Sequence, residues 1–259
     1  MRFDNYLVLM GHFETRTKAK QAIERGEMYI NDKNIVKPAY EIAENLIEGV
    51  DFTLKRVCEE SYVSVGGFKL KKALNDFNFD VTDLVCVDLG ASTGGFTDCL
   101  LKNGAKKVFA VDLNDELLHH SLKENDDVIP IIKNAKLLTR NDFKGEKPNL
   151  FTCDLSFISA TQILPIISRL SRKGTYVILL IKPQFEIGKK RRFKNGIIRD
   201  DKMRRLVCEN VVSRAKDCGL YPKELAFAPI YDDKNIECLV LFQKGIFDEK
   251  FNLDEYIFS

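Results

Sequence analysis

Apolar and polar positions follow a helical period from Phe3 to Gly11, "FDNYLVLMG", and Gly11 ends the pattern. Thr15 or Thr17 can cap a second helix, which Gly26 ends. "EMYINDKNIVKPAY" then reads as two short strands around Asn31-Asp32, and "DFTLKRV" as a last strand of the same small α+β module. The polar stretch "CEESYVSV" leads onward. From Gly66 the pattern changes. "KLKKALNDF" sets Leu70, Ala73, Leu74 and Phe77 on one helical face. Short apolar runs follow at "LVCVDL", "VFAVDL", "VIPII", "LFTCDL", "YVILLI", "ELAFAPI" and "CLVLFQ". Helical stretches separate most of them, including 95–103, 115–123, 158–171 and 201–218. Such alternation predicts an α/β fold whose seven-stranded sheet is mostly parallel and covered on both faces. The seventh run follows the sixth after "YDDKN", too short a loop for a crossover helix, so the last strand is expected to be antiparallel. The expected organisation is a module over 1–58, a linker over 59–65 and the α/β domain over 66–259.

Composition adds limits rather than a function. A chain of 259 residues, 45% of them hydrophobic, suits one large domain plus a small one. Lys+Arg 40 against Asp+Glu 38 leaves a net charge of +2, so any charged partner has to be read from local clusters. The seven cysteines form no CxxC pair, which argues against a zinc site or any other metal. Cys86, Cys153 and Cys238 fall inside apolar runs and read as buried thiols in a reducing cytoplasm. The first residues lack the apolar core of a signal peptide, and the longest apolar run, 176–181, is too short to span a bilayer. A soluble, cytoplasmic protein is expected.

The chemistry starts at "VDLGASTGGFTDCLL", a strand that empties into a glycine loop and then a helix. Such a loop lets the backbone approach a ligand, and the helix N-terminus offers free N–H groups. Asp112 ends the next strand, where a carboxylate can accept hydrogen bonds from both hydroxyls of a ribose. This predicts a cofactor bearing a nucleoside. The GxxxGG spacing departs from GxGxxG, which disfavours NAD. The antiparallel last strand favours the Rossmann-like sheet of S-adenosylmethionine-dependent methyltransferases. Candidate cofactor contacts are Asp88, Gly90, Ala91, Ser92, Thr93, Gly94, Gly95, Phe96, Asp112, Asn134 and Asp154.

Charged residues at strand ends narrow the acceptor. Asp154 ends the fourth strand of the large domain, Lys182 the fifth, and Glu237 precedes the antiparallel seventh; a lysine of Lys69, Lys71 and Lys72 opens the domain's first helix. These ends share one edge of the sheet. Two lysines and two carboxylates there suit methylation of a hydroxyl. A lysine whose pKa is lowered by burial and a neighbouring cation can take the proton of a ribose 2′-OH, and the carboxylates orient the lysines. Lys182 is the expected base. Amino methylation of bases generally uses an Asn/Asp-Pro-Pro-aromatic loop, and here Asp154-Leu155-Ser156-Phe157 stands in its place. Cys153 lacks the context of a cytosine-C5 nucleophile. His119 and His120 read as surface residues of a helix remote from these groups.

Two basic stretches suggest RNA. The second helix carries Arg16, Lys18, Lys20 and Arg25 with Glu24 opposing, and "KKRRFKNGIIRDDKMRR" carries Lys189, Lys190, Arg191, Arg192, Lys194, Arg199, Lys202, Arg204 and Arg205 just after the fifth strand. Either can be an ordinary solvated surface. A dense run bordering an active site is also what phosphate binding asks for, with a contribution that falls steeply with salt, and Phe193 could stack on a base. Residues 2–38, "RFDNYLVLMGHFETRTKAKQAIERGEMYINDKNIVKP", resemble the RNA-binding module of a small-subunit ribosomal protein, through Arg16, Gly26, Asn31, Lys37 and Pro38. Together with "YVSVGGFKLKKAL", "DLGASTGGFTDCLL", "DLSFIS", "KPQFE" and "NIECLVLF", nearly the whole chain resembles the TlyA family. That resemblance implies an FtsJ-like domain that uses S-adenosylmethionine to methylate the 2′-OH of cytidine in ribosomal RNA or ribosomal subunits. It also selects Lys69, giving the tetrad Lys69, Asp154, Lys182 and Glu237. Val65 stands where family members commonly have Arg. Two other readings are a non-catalytic ribosome-assembly factor, against which the intact tetrad argues, and a membrane-active haemolysin, against which the missing spanning segment argues.

Overall fold

Phe3 and Leu7 are fully buried and Tyr6 nearly so, which fixes the inward face of α1 (Phe3–Leu9). Ala19, Ala22 and Ile23 do the same for α2 (Arg16–Glu24). Thr15 is the residue that caps α2, its hydroxyl accepting from the Lys18 N–H at 3.3 Å. Three antiparallel strands follow, β1 (Met28–Ile30), β2 (Lys33–Asn34) and β3 (Leu54–Arg56), in the order β2-β1-β3. The expected last strand of this module is therefore present. The computed structural model describes residues 1–24, 26–30, 33–42, 54–56, 62–187, 196–229, 234–247 and 249–256. The turn at Asn31-Asp32 and Cys58 lie outside them. The chain divides into two compact units, Met1–Ser61 and Tyr62–Ser259. Of the stretch expected as a linker, Tyr62 to Val65 belong to the second unit, and the Tyr62 ring packs edge-on against Phe68 at 5.0 Å.

In the second unit α3 (Val65–Asp76) buries Leu70, Ala73 and Leu74, as its periodicity predicts. The chain then runs through β4 (Val85–Leu89), α4 (Gly95–Lys102), β5 (Lys107–Asp112), α5 (His120–Lys123) and β6 (Val128–Ile132). It continues with β7 (Leu150–Cys153), α6 (Leu164–Leu170), β8 (Tyr176–Ile181), α7 (Pro183–Glu186), α8 (Asp201–Asp217), β9 (Leu220–Phe227) and β10 (Cys238–Lys244). The seven-stranded sheet has the order β6-β5-β4-β7-β8-β10-β9. β10 is antiparallel to both neighbours and the other pairs are parallel. Strand residues alternate between two cores. Val177, Leu179 and Ile181 join the side covered by α6 and α8, whereas Ile178 and Leu180 join the side covered by α3 and α4.

Three expected elements differ. Over 115–123 only His120–Lys123 is helical. Asn114 Oδ1 takes the Glu116 N–H at 2.5 Å and His119 Nδ1 takes that of Ser121 at 3.3 Å, so these side chains hold the backbone in turns that a helix interior would exclude. His119 is therefore a cap; its side chain is exposed, but its N–H donates to Thr93 O in the glycine loop at 3.2 Å. Over 158–171 a 3-10 turn at Ala160–Gln162 precedes α6, because Pro165 is tolerated only in a first helical turn. The sixth strand starts at Leu220 rather than at Glu224 and carries Pro222 beside a bulge at Lys223, which is left out of the register with β10.

The terminal segment "FDEKFNLDEYIFS", for which the sequence offers no role, packs through Phe251, Leu253 and Tyr256 against the α8 side. Tyr256 Oη accepts from the Leu225 N–H at 3.3 Å, and Asp254 pairs with Arg205.

Asp88 is wholly buried in β4. Its carboxylate accepts from Thr97 Oγ1 at 2.7 Å and Thr152 Oγ1 at 3.0 Å. Burial pushes the carboxyl up to about 7, against those hydrogen bonds, which favour the charged form. The folded chain keeps this proton to about 7, while an unfolded chain loses it near the ordinary 3.8. Between these values the folded state binds more protons, so Asp88 makes stability fall as pH rises. Resistance of the wild type to urea should therefore fall between about pH 5 and about pH 7, and Asp88→Asn should flatten that part of the slope. An equal slope in the variant would assign the pH dependence elsewhere.

Candidate active site

The glycine loop after β4 feeds the N-terminus of α4. Gly90 has φ +85°, and a Cβ on it would stand 2.7 Å from the Asp154 carbonyl oxygen. Only glycine lets the loop lie this close to the end of β7. The loop forms one wall of a cleft of 290 Å³, through Gly90, Ala91, Ser92, Thr93, Gly95 and Phe96. Lys69, Asp154, Lys182 and Glu237 line the same cleft. Lys69 comes from α3, Asp154 and Lys182 follow β7 and β8, and Glu237 precedes β10. The antiparallel direction of β10 brings Glu237 to the edge where the parallel strands end.

The four charges form two pairs. Lys69 Nζ donates to Glu237 Oε2 at 2.6 Å, and Lys182 Nζ is ion-paired with Asp154. Lys182 is only 9% exposed. Its hydrogen bond goes to Ser156 Oγ at 2.9 Å, and the Phe185 ring centroid lies 5.9 Å from Nζ. Gln184 Nε2 reaches Glu237 Oε1 at 3.4 Å.

Asp112 ends β5 and lines a smaller pocket with Ala91, Ser92, Leu118, Pro130, Ile131 and Ile132. Its carboxylate accepts from the Ser92 N–H at 2.8 Å and the Leu113 N–H at 2.7 Å. Three expected cofactor contacts are used otherwise. Asp88 is sealed beneath the loop between Thr97 and Thr152, because the strand turns its side chain into the interior. Gly94 has φ +93° and faces Leu118 and Leu122. Asn134 is exposed and accepts from the Lys136 N–H at 3.0 Å, capping a 3-10 turn.

The loop after β7 holds residues that strand-end reasoning passed over. Phe157 has φ +68°, an outlier for a bulky side chain. It is 88% exposed, its ring 5.4 Å from that of Phe185. Glu186 fastens the loop, accepting from Ser159 Oγ at 2.5 Å and the Ala160 N–H at 2.7 Å; burial pushes its carboxyl up. Asn235, also in the cleft wall, brackets the segment after the basic run. Its Oδ1 accepts from the Ile198 N–H at 2.8 Å, and its Nδ2 donates to Gly196 O at 2.9 Å. Ser156 and Phe157 follow Asp154 by two and three residues, Gln184 follows Lys182 by two, and Asn235 precedes Glu237 by two. Proximity to a strand end is the signal that could have found them.

The basic candidates fare unevenly. Arg16 pairs with buried Asp4 at 3.0 Å, Lys18 with Glu14, and Lys20 with Glu24 at 3.5 Å, so the charge of α2 is opposed by more than Glu24. Burial pushes the Asp4 carboxyl up, but Arg2 and Arg16 together hold it below the usual range. Lys37 is exposed. Arg204 is buried and donates to Ile198 O at 3.0 Å, and Arg205 pairs with Glu209 and Asp254. Arg25, Lys189, Lys190, Arg191, Arg192, Phe193 and Lys194 lie outside the described residues.

Residues 62–244 match the family model described as FtsJ-like methyltransferase, and residues 1–47 match the S4 domain. The 16S/23S rRNA (cytidine-2′-O)-methyltransferase TlyA of Mycobacterium tuberculosis is 33% identical over 88% of this chain and 84% of that protein. The chain belongs to the TlyA family of FtsJ-like methyltransferases. Hemolysin A of Brachyspira hyodysenteriae is 39% identical over 93% of this chain and 99% of that protein. A solved structure from Streptococcus thermophilus that carries a hemolysin name is 36% identical, with a TM-score of 0.72 over 98% of this chain and 93% of that one. Both names occur in one family, and among the described residues of this member no helix is long and apolar enough to cross a membrane. No group of His, Cys, Asp and Glu among them could hold a metal ion.

The fold of the second unit is that of S-adenosylmethionine-dependent methyltransferases. The walls suit that cofactor. A glycine loop lies beside the tetrad in one cleft, and a carboxylate ends β5 at the other side of that loop, where a ribose can be held.

Proposed function

We propose that the chain is a 2′-O-methyltransferase acting on cytidine ribose in ribosomal RNA. The carrying observation is the pairing of Lys69 with Glu237 and of Lys182 with Asp154 in the cleft that the glycine loop also lines. The loop residues Gly90 to Phe96, excepting Gly94, hold the cofactor, with Asp112 on its ribose. When bound, S-adenosylmethionine supplies a methyl group on a sulfonium sulfur. Lys182 Nζ, shielded from water, takes the proton of the 2′-OH as the oxygen attacks that methyl. Asp154 stabilises the resulting ammonium, and Lys69 with Glu237 holds the ribose side of the cleft. The exposed Phe157 ring, backed by Phe185, offers a face on which a nucleobase can stack. The rRNA cytidine named for the Mycobacterium tuberculosis relative and the match of residues 1–47 to the S4 domain support RNA as substrate, with the module over 1–58 as its second anchor.

The test incubates the chain with methyl-labelled S-adenosylmethionine and ribosomal subunits that lack the modification. Label should enter RNA, and alkaline hydrolysis should leave an uncut dinucleotide at the labelled site, because a methylated 2′-oxygen no longer attacks the neighbouring phosphate. Label in RNA that hydrolyses normally would make a base the acceptor and overturn this reading. Cofactor and RNA binding without transfer would favour the assembly-factor role.

A further inference from the structure

Lys182 Nζ has two polar neighbours of different kinds. Asp154 Oδ1 lies beside it as an ion-pair partner. The hydrogen bond from Lys182 Nζ goes to Ser156 Oγ at 2.9 Å. A hydrogen bond is directional, so Ser156 and Asp154 together set the rotation about the Cε–Nζ bond. With Cε in one tetrahedral direction and Ser156 in a second, the nitrogen keeps only two for Asp154 and for a substrate hydroxyl.

Ser156 is itself firmly placed. It lines the same cleft as Lys182 and lies in the short loop after β7. Phe157, next in sequence, turns the backbone at φ +68° and leans its ring on Phe185. Glu186 then fastens the loop through Ser159 Oγ and the Ala160 N–H. Loop and lysine are thus both tied to the segment that follows β8.

We propose that Ser156 is a positioning residue for methyl transfer, fixing the Lys182 amine so that its lone pair faces the hydroxyl to be methylated. This rests on the reading of Lys182 as the proton acceptor. Once it has released a proton to solvent, the amine donates one hydrogen to Ser156 and one to Asp154, and its lone pair is left pointing into the cleft. The proton taken from the substrate oxygen ends on Nζ as the methyl leaves the sulfonium.

The experiment measures steady-state methyl transfer by the full chain, wild type beside Ser156→Ala and Ser156→Thr. One hydrogen bond to a charged or reacting group gives an expected fall in kcat of about tenfold for Ser156→Ala. KM for cofactor and for RNA should stay within about twofold, because the lost contact acts on the amine rather than on binding. Ser156→Thr, which keeps the hydroxyl, should recover most of kcat. An unchanged kcat in Ser156→Ala, an effect confined to KM, or a threonine variant no better than alanine would each overturn the proposal. Label on a base in the wild type would remove the reading of Lys182 and the role of Ser156 together. Label on ribose with an unaffected alanine variant would remove the role of Ser156 alone.

Discussion

Lys182→Met is expected to lower methyl transfer by about three orders of magnitude, within the range that general-base catalysis contributes. Methionine keeps most of the side-chain volume of a residue that is only 9% exposed, so the cleft should not collapse. The amine is what disappears. The glycine loop and Asp112, the proposed cofactor contacts, lie on other strands, so the cofactor's dissociation constant, read by calorimetry, should change by no more than about threefold. Asp154 loses its cation, and leaving one partner of a largely buried pair alone costs stability. Activity should therefore be compared at a temperature where both proteins are folded. Retention of activity within about tenfold would mean that another group takes the proton, and the tetrad would need a different base.

Gly95→Ala should lower both stability and methyl transfer. Gly95 opens α4 in ordinary helical backbone, so the effect is steric rather than torsional. A Cβ there would meet Gly67 N at 2.9 Å and Gly66 Cα at 3.2 Å, with Ser64 Oγ closer still. Ser64 Oγ can rotate away, but the other two are backbone atoms of α3, which a side-chain rotation does not move. Overpacking of this kind costs about 1–3 kcal/mol. Activity should suffer more than stability. α3 carries Lys69, whose 2.6 Å bond to Glu237 spans the cleft, so a helix pushed off α4 takes Lys69 with it. Thermal unfolding and kcat measured together check this, and a variant with wild-type values of both would mean that α3 yields without cost.

The sheet was legible because its strands are short continuous apolar runs, and the "YDDKN" loop gave the direction of the last one. The gathering of these charges in one cleft was legible because ligands in such sheets bind at strand ends, which is where Asp154, Lys182 and Glu237 lie. Lys69 was harder. It shares a helix with Lys71 and Lys72, which bond to Asn103 and Asp76, and spacing alone does not tell the three apart; the family resemblance chose it. Asp88 misled for the opposite reason, since it sits in the expected motif but its strand turns it inward. The helix at 115–123 failed because Asn114 and His119 act as caps, which apolar periodicity does not register. Ser156 and Asn235 escaped because an uncharged side chain carries no signal until its partner is in view.

The segment that gave no clue in the sequence has a consequence of its own. β9 ends the sheet, and an outermost strand is a template on which a foreign strand can assemble. Tyr256 occupies the Leu225 N–H, one of the sites such an intruder would need, while Pro222 in the same strand offers no N–H at all. The segment thus takes up one position of that edge, and Tyr256→Phe should be felt in how much of the protein stays unaggregated before it is felt in methyl transfer.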